Sequence, residues 1–152
     1  MRRMPNDTIL THVGSGELVI IFGDPGLPVD GRGGNDTMIA TVDGGPTTLL
    51  LVGDDESLQG RSHGGNDHFV ADVAAFGAYV TVDGDARTMS GDAHGGNDVM
   101  NVDATGSIYT TTSLFGDAEM AMTEASRGGS DSSRARWETG RMGRLSAMPA
   151  RP

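Results

Sequence analysis

Gly33-Gly34-Asn35-Asp36-Thr37-Met38-Ile39-Ala40-Thr41-Val42 decides the fold. Its first four letters return as Gly64 to Asp67 and again as Gly95 to Asp98, each time 31 residues later. An altered copy, Gly128-Gly129-Ser130-Asp131, follows 33 residues after the third, and Asn6-Asp7 reads as the tail of an earlier one. A fixed period in this range marks a solenoid or propeller, in which one repeat is one structural unit that buries its apolar face only against its neighbours.

Working outward from each motif Asp, a six-residue stretch alternates with period two: Thr37 to Val42, His68 to Val73 and Val99 to Ala104. These read as strands. The apolar set lines up in three columns, Met38/Phe69/Met100, Ala40/Ala71/Val102 and Val42/Val73/Ala104, while Thr41, Asp72, Asp103 and His68 belong to the set that faces water. A short turn containing Gly leads to a second strand, where Val19, Leu49, Val80 and Thr112 align, as do Ile21, Leu51, Val82 and Leu114. That strand closes at Gly23-Asp24, Gly53-Asp54, Gly84-Asp85 and Gly116-Asp117. The remainder of each repeat reads as a long loop with one apolar anchor, Leu58 or Met89 in the inner copies and Leu27 or Met120 in the outer ones.

Columns of like residues one repeat apart are what stacked parallel coils require, because equivalent positions then lie about 4.8 Å apart. The expected fold is all-β, a parallel β-roll or β-solenoid of about four to five coils over residues 1–131, followed by a basic tail over 132–152. The competing arrangement is a run of antiparallel hairpins with the Gly-Asn-Asp segments as tight turns. Hairpins give no reason for one register to persist through both strands and both loops.

Hydrophobic residues make up 36% of the chain, and there are 24 glycines. Apolar burial alone is therefore a thin support for folding, given the entropy that glycine loses. From Met4 to Ser126 the chain carries 19 Asp and Glu against three Arg, a balance of −16, and the six arginines from Arg127 onward face only Asp131 and Glu138. Crowded carboxylates call for cations and repel nucleic-acid phosphates. Without cysteine there is neither a disulfide framework nor a thiolate metal site. No stretch has the length of a membrane span, and Met1 to Asp7 lacks the apolar core of a signal peptide, so export would not use a cleaved leader.

Glycine loops expose backbone carbonyls, and an adjacent Asp adds charge. Together they suit Ca²⁺, a hard ion that takes six to eight oxygens. Asp36, Asp67 and Asp98 are the leading candidate ligands, then Asp24, Asp54, Asp85 and Asp117, with Asp131 beside Ser130 in place of Asn. Gly34, Gly65 and Gly96 supply candidate carbonyls. Asn35, Asn66 and Asn97 are candidate ligands or cap the turn through their own backbone. The plain alternative is a solvated acidic loop.

The segments Gly31 to Met38, Ser62 to Phe69 and Ala93 to Met100 resemble the glycine-rich nonapeptide of the repeats-in-toxin, or haemolysin-type, calcium-binding repeats, Gly-Gly-x-Gly-x-Asp-x-apolar-x. The fourth-position Gly, sixth-position Asp and eighth-position apolar residue are present in all three copies. Of the first two glycines only Gly31 is present, and the motif occupies one side of each repeat rather than two. The resemblance implies a right-handed parallel β-roll with Ca²⁺ held between turns by Asp carboxylates and glycine-loop carbonyls. It also implies secretion from a Gram-negative bacterium through a one-step exporter, and an extracellular location.

His63 and His94 are equivalent positions, but Arg32 fills the third place, so a zinc site there is poorly supplied. Met38, Met89, Met100 and Met120 read as core filler. Motifs for zinc proteolysis, serine hydrolysis, phosphate binding and EF-hands are missing, and the chain is read as non-enzymatic. The expected function is a structural module that folds and stiffens on Ca²⁺. The alternatives are an adhesin-like surface module, with end-to-end self-association through its open coils, and the ancillary domain of a secreted glycan-active enzyme or protease.

Overall fold

The computed structural model describes residues 2–122, 126–136 and 144–148. Among them there is no helix. Thirteen strands stack in parallel as a β-solenoid of about four turns, and the hairpin alternative is excluded by every pairing in the sheets.

The first sheet runs β1 (Thr8–Val13), β3 (Thr37–Gly44), β6 (His68–Ala75), β9 (Val99–Asp103) and β12 (Ser132–Arg136). The second runs β2 (Leu18–Phe22), β4 (Thr48–Val52), β7 (Tyr79–Asp83), β10 (Thr111–Phe115) and β13 (Arg144–Met148). Met38 pairs with Phe69 and Phe69 with Met100, and Leu49 pairs with Val80 and Val80 with Thr112, as the sequence columns require. These inward columns form the main core, which runs along the axis from Val13 to Leu114.

Two expectations are corrected. The long loop is not irregular: it carries a third, shorter sheet, β5 (Ser57–Leu58), β8 (Ala86–Met89) and β11 (Ala118–Met122). Leu27, Leu58 and Met89 are buried there in a second small core with Ala86 and Ala93. Met120 is 61% exposed and is not an anchor; a register irregularity between Ala118 and Ala121 sets Met122 opposite Met89 instead. Nor does the array stop at 131. The strand Ser132–Arg136 continues the first sheet, pairing with Val99–Asp103, and Ala135 packs against the core. Backbone pairing asks little of side-chain type, so a basic edge strand still fits. Residues 137–143 and 149–152 of the expected tail lie outside the described residues.

Candidate metal centre

The acidic residues gather where the second sheet ends and the next motif begins. The Asp24 N–H donates to the Asp54 carbonyl and the Asp54 N–H to that of Asp85, both at 2.8 Å, so successive Gly-Asp corners stack directly. Their side chains turn inward: Asp24, Asp54, Asp85 and Asp117 are buried, as are Asp36, Asp67 and Asp98 from the facing motif column. Glycine leaves the room. A Cβ at Gly53 would overlap Asp67 Oδ2, and one at Gly64 would overlap Asp85 Oδ1.

Each carboxylate spends part of its capacity on stitching the backbone. The Asp7, Asp36, Asp67 and Asp98 N–H groups donate to Oδ1 of Asp36, Asp67, Asp98 and Asp131 in the next coil, at 2.6 to 2.9 Å. From the other column, Asp24, Asp54, Asp85 and Asp117 accept the N–H groups of Gly34, Gly65, Gly96 and Gly129. Oδ2 of Asp36, Asp67, Asp85, Asp98 and Asp131, with Oδ1 of Asp24, is buried and has no partner among the described residues. A buried charge without a partner is costly, so these carboxyls resist ionising.

Burial, above all, pushes Asp36 to about 6, Asp67 to about 8 and Asp98 to about 9, and the charges of neighbouring aspartates add to it. The donated N–H bonds act in the opposite direction. Asp54 and Asp85 are raised well above the usual range, again by burial first and then by Asp67 and Asp98 respectively. Asp117 rises to about 6, and Asp24 and Asp131 also rise. At the first corner Asp7, Asp24 and Asp36 bring one oxygen each within 4.8 Å of one another.

The donor set is made of oxygens alone, partly orphaned and under mutual repulsion, which fits a hard divalent cation. The sequence columns brought all eight predicted aspartates to this corner. Asp7 belongs with them, and the sequence reading did not count it among the candidate ligands, although the Asn6-Asp7 spacing marked it. The asparagines stand elsewhere. Oδ1 of Asn6, Asn35, Asn66 and Asn97 accepts the N–H of Asn35, Asn66, Asn97 and Ser130, at 2.7 to 3.0 Å on the exposed side. These bonds cross to the next coil, so Asn does not cap its own turn. Gly34, Gly65 and Gly96 act through their N–H groups, and their carbonyls lie against the glycine of the next coil.

Two further clusters lie outside the corner. His63 and His94 stack with ring centroids 4.9 Å apart, and among the described residues their acidic partner is Asp92, 3.8 Å from His94 Nε2. Among the described residues no third ligand completes a zinc site there. Asp83 is buried with both oxygens unpartnered among the described residues, and burial raises it to about 8, with Glu119 and Glu56 adding and Arg87 opposing. Arg87 itself spans Glu56 and Glu119, 3.5 Å from each. Sequence reading passed over Asp83, although its place in register between Val52 and Phe115 is a polar residue in an otherwise apolar column.

Comparison with family models, with curated proteins and with solved structures finds no match to this chain.

Proposed function

We propose that this chain is a calcium-binding structural module whose coils are locked together by ions held at the acidic corner. One observation carries the reading. Each motif Asp gives Oδ1 to a neighbouring coil and keeps Oδ2 buried beside an equally buried second carboxylate column. Asp36, Asp67, Asp98 and Asp131 would hold Ca²⁺ through that free oxygen, with Asp24, Asp54, Asp85 and Asp117 opposite and Asp7 completing the first corner. Bound Ca²⁺ would supply the positive charge that the corner lacks, and its binding free energy would become folding free energy. The motif resemblance to the repeats-in-toxin family supports the same ion, and extends the reading to a secreted bacterial protein without catalytic activity of its own.

A calorimetric titration with Ca²⁺, paired with thermal melts in chelator and in excess Ca²⁺, tests this. The expected result is saturable binding at a few sites per chain and a large rise in Tm. No heat of binding, with superimposable melts, would remove the proposal.

A second reading, the surface interaction module, is favoured by a groove of about 500 Å³ on the outer face of β6, β9 and β12, lined by Val70, Asp72, Asn101, Asp103, Arg134 and Arg136. Its mixed charges would suit a polar ligand carrying both an anionic group and hydrogen-bond donors. Glycan-array binding that persists in chelator would favour it over the calcium reading.

A further inference from the structure

Among the described residues, the strands at the amino-terminal end of the stack, β1 and β2, each have one neighbour, and Leu10, Leu18 and Ile20 within them are 73%, 69% and 49% exposed. Unpaired parallel edges of this kind are templates for another chain. In this fold they would invite head-to-tail stacking of copies.

One column determines whether such stacking can occur. At Gly34, Gly65, Gly96 and Gly129 an added Cβ would overlap the carbonyl oxygen one coil back, that of Pro5, Gly34, Gly65 and Gly96 respectively. Every position that sits on a preceding coil must therefore be glycine, and in this chain each of those positions is. The residue at the head of the column is Pro5. By the same backbone repeat, its Cβ and ring occupy the place that the carbonyl of a preceding coil would need. The glycines of the column also donate their N–H groups to Asp24, Asp54, Asp85 and Asp117, and proline has no N–H to give.

We propose that Pro5 closes the amino-terminal end of the solenoid against a second copy of this chain, so that the open strand edges do not join end to end. Stacking geometry alone sets this closure, whether or not an ion is held at the corners. Pro5 is exposed, so its replacement leaves the core untouched.

The test is the mass in solution by light scattering, in excess Ca²⁺, with far-UV circular dichroism recorded on the same samples. In sequence, Pro149 follows Met148 at the offset at which Gly116 follows Phe115, so the variants are built on Pro149→Gly to leave Pro5 as the one proline under test. The unaltered chain and Pro149→Gly are expected at the mass of one chain. Pro5→Gly in that background is expected at two chains or more, rising with concentration. Pro5→Ala restores the N–H but keeps a Cβ, and is expected to remain at one chain. Association of the unaltered chain, of Pro149→Gly, or of the Pro5→Ala variant overturns the proposal. So does a Pro5→Gly variant that stays at one chain, and so does one that loses its strand signal, because Pro5 would then be holding its own coil rather than guarding its end.

Discussion

Each motif aspartate does two things with one carboxylate, and the two can be separated by substitution. Asp67 Oδ1 accepts the Asp36 N–H at 2.6 Å, while Oδ2 lies buried without a partner among the described residues. Asp67→Asn keeps an acceptor for that N–H and removes the charge. In chelator it is expected to melt higher than the parent, by a free energy of at least about 1 kcal/mol, because a buried group raised to about 8 no longer has to hold a proton. In Ca²⁺ the ordering should reverse, with weaker binding by calorimetry. A variant destabilised equally in both conditions would mean that the carboxylate is structural only. Asn66→Ala makes the contrast. Its Oδ1 accepts the exposed Asn97 N–H, so a loss of about 1 kcal/mol, the same with and without Ca²⁺, is expected from denaturant melts. The aspartates were legible in sequence because spacing alone places like residues at one corner. The role of asparagine was not. Its bond runs to the residue 31 positions on, and local turn chemistry, the usual guide for Asn, points to its own backbone instead.

At the scale of the element, the two long strands of each coil follow from alternation, since a period of two with a constant repeat allows only one set of columns inside. The third sheet does not announce itself in this way. Its strands are two to five residues long, and within Ser57–Leu58 or Ala86–Met89 there is too little sequence for a period to register. Only the anchors Leu58 and Met89 showed that the loop returns to the body. Leu58 is fully buried in the second core, so Leu58→Ala is expected to cost about 2–5 kcal/mol by chemical denaturation. A loss below about 1 kcal/mol would show that the third sheet is ornamental. In the second sheet Thr112 occupies the column of Leu49 and Val80, and its buried hydroxyl has no partner among the described residues. Thr112→Val should therefore stabilise the chain by about 1 kcal/mol, because an unsatisfied polar atom is exchanged for a methyl group. A destabilised variant would place an unseen partner on that hydroxyl.

For the whole molecule, the acidic corner makes stability without metal fall with rising pH, and under the proposed function Ca²⁺ would act in the opposite direction. Asp36, Asp67, Asp98 and Asp117 have folded-state values between about 6 and about 9, above the ordinary 3.8. The folded state therefore binds more protons than the unfolded chain across that interval, and stability without metal falls as pH rises. The contribution is complete below 3.8 and is lost as pH climbs through 6 to 9. Asp103 runs the other way, held low by hydrogen bonds from Thr105, but it stands outside the corner, where eight aspartates are raised. Ca²⁺ requires the deprotonated carboxylates, so the protons that stabilise the metal-free chain are the ones binding must expel. Thermal melts at about pH 5, about pH 7 and about pH 9 should thus show Tm declining in chelator, while the rise produced by Ca²⁺ widens with each step. Calorimetry in buffers of different ionisation heat should show proton release on binding near pH 7. A chelator Tm that climbs from pH 5 to pH 9 would mean that the aspartates are already paired without metal, and the corner would then have no vacant charge for an ion to satisfy.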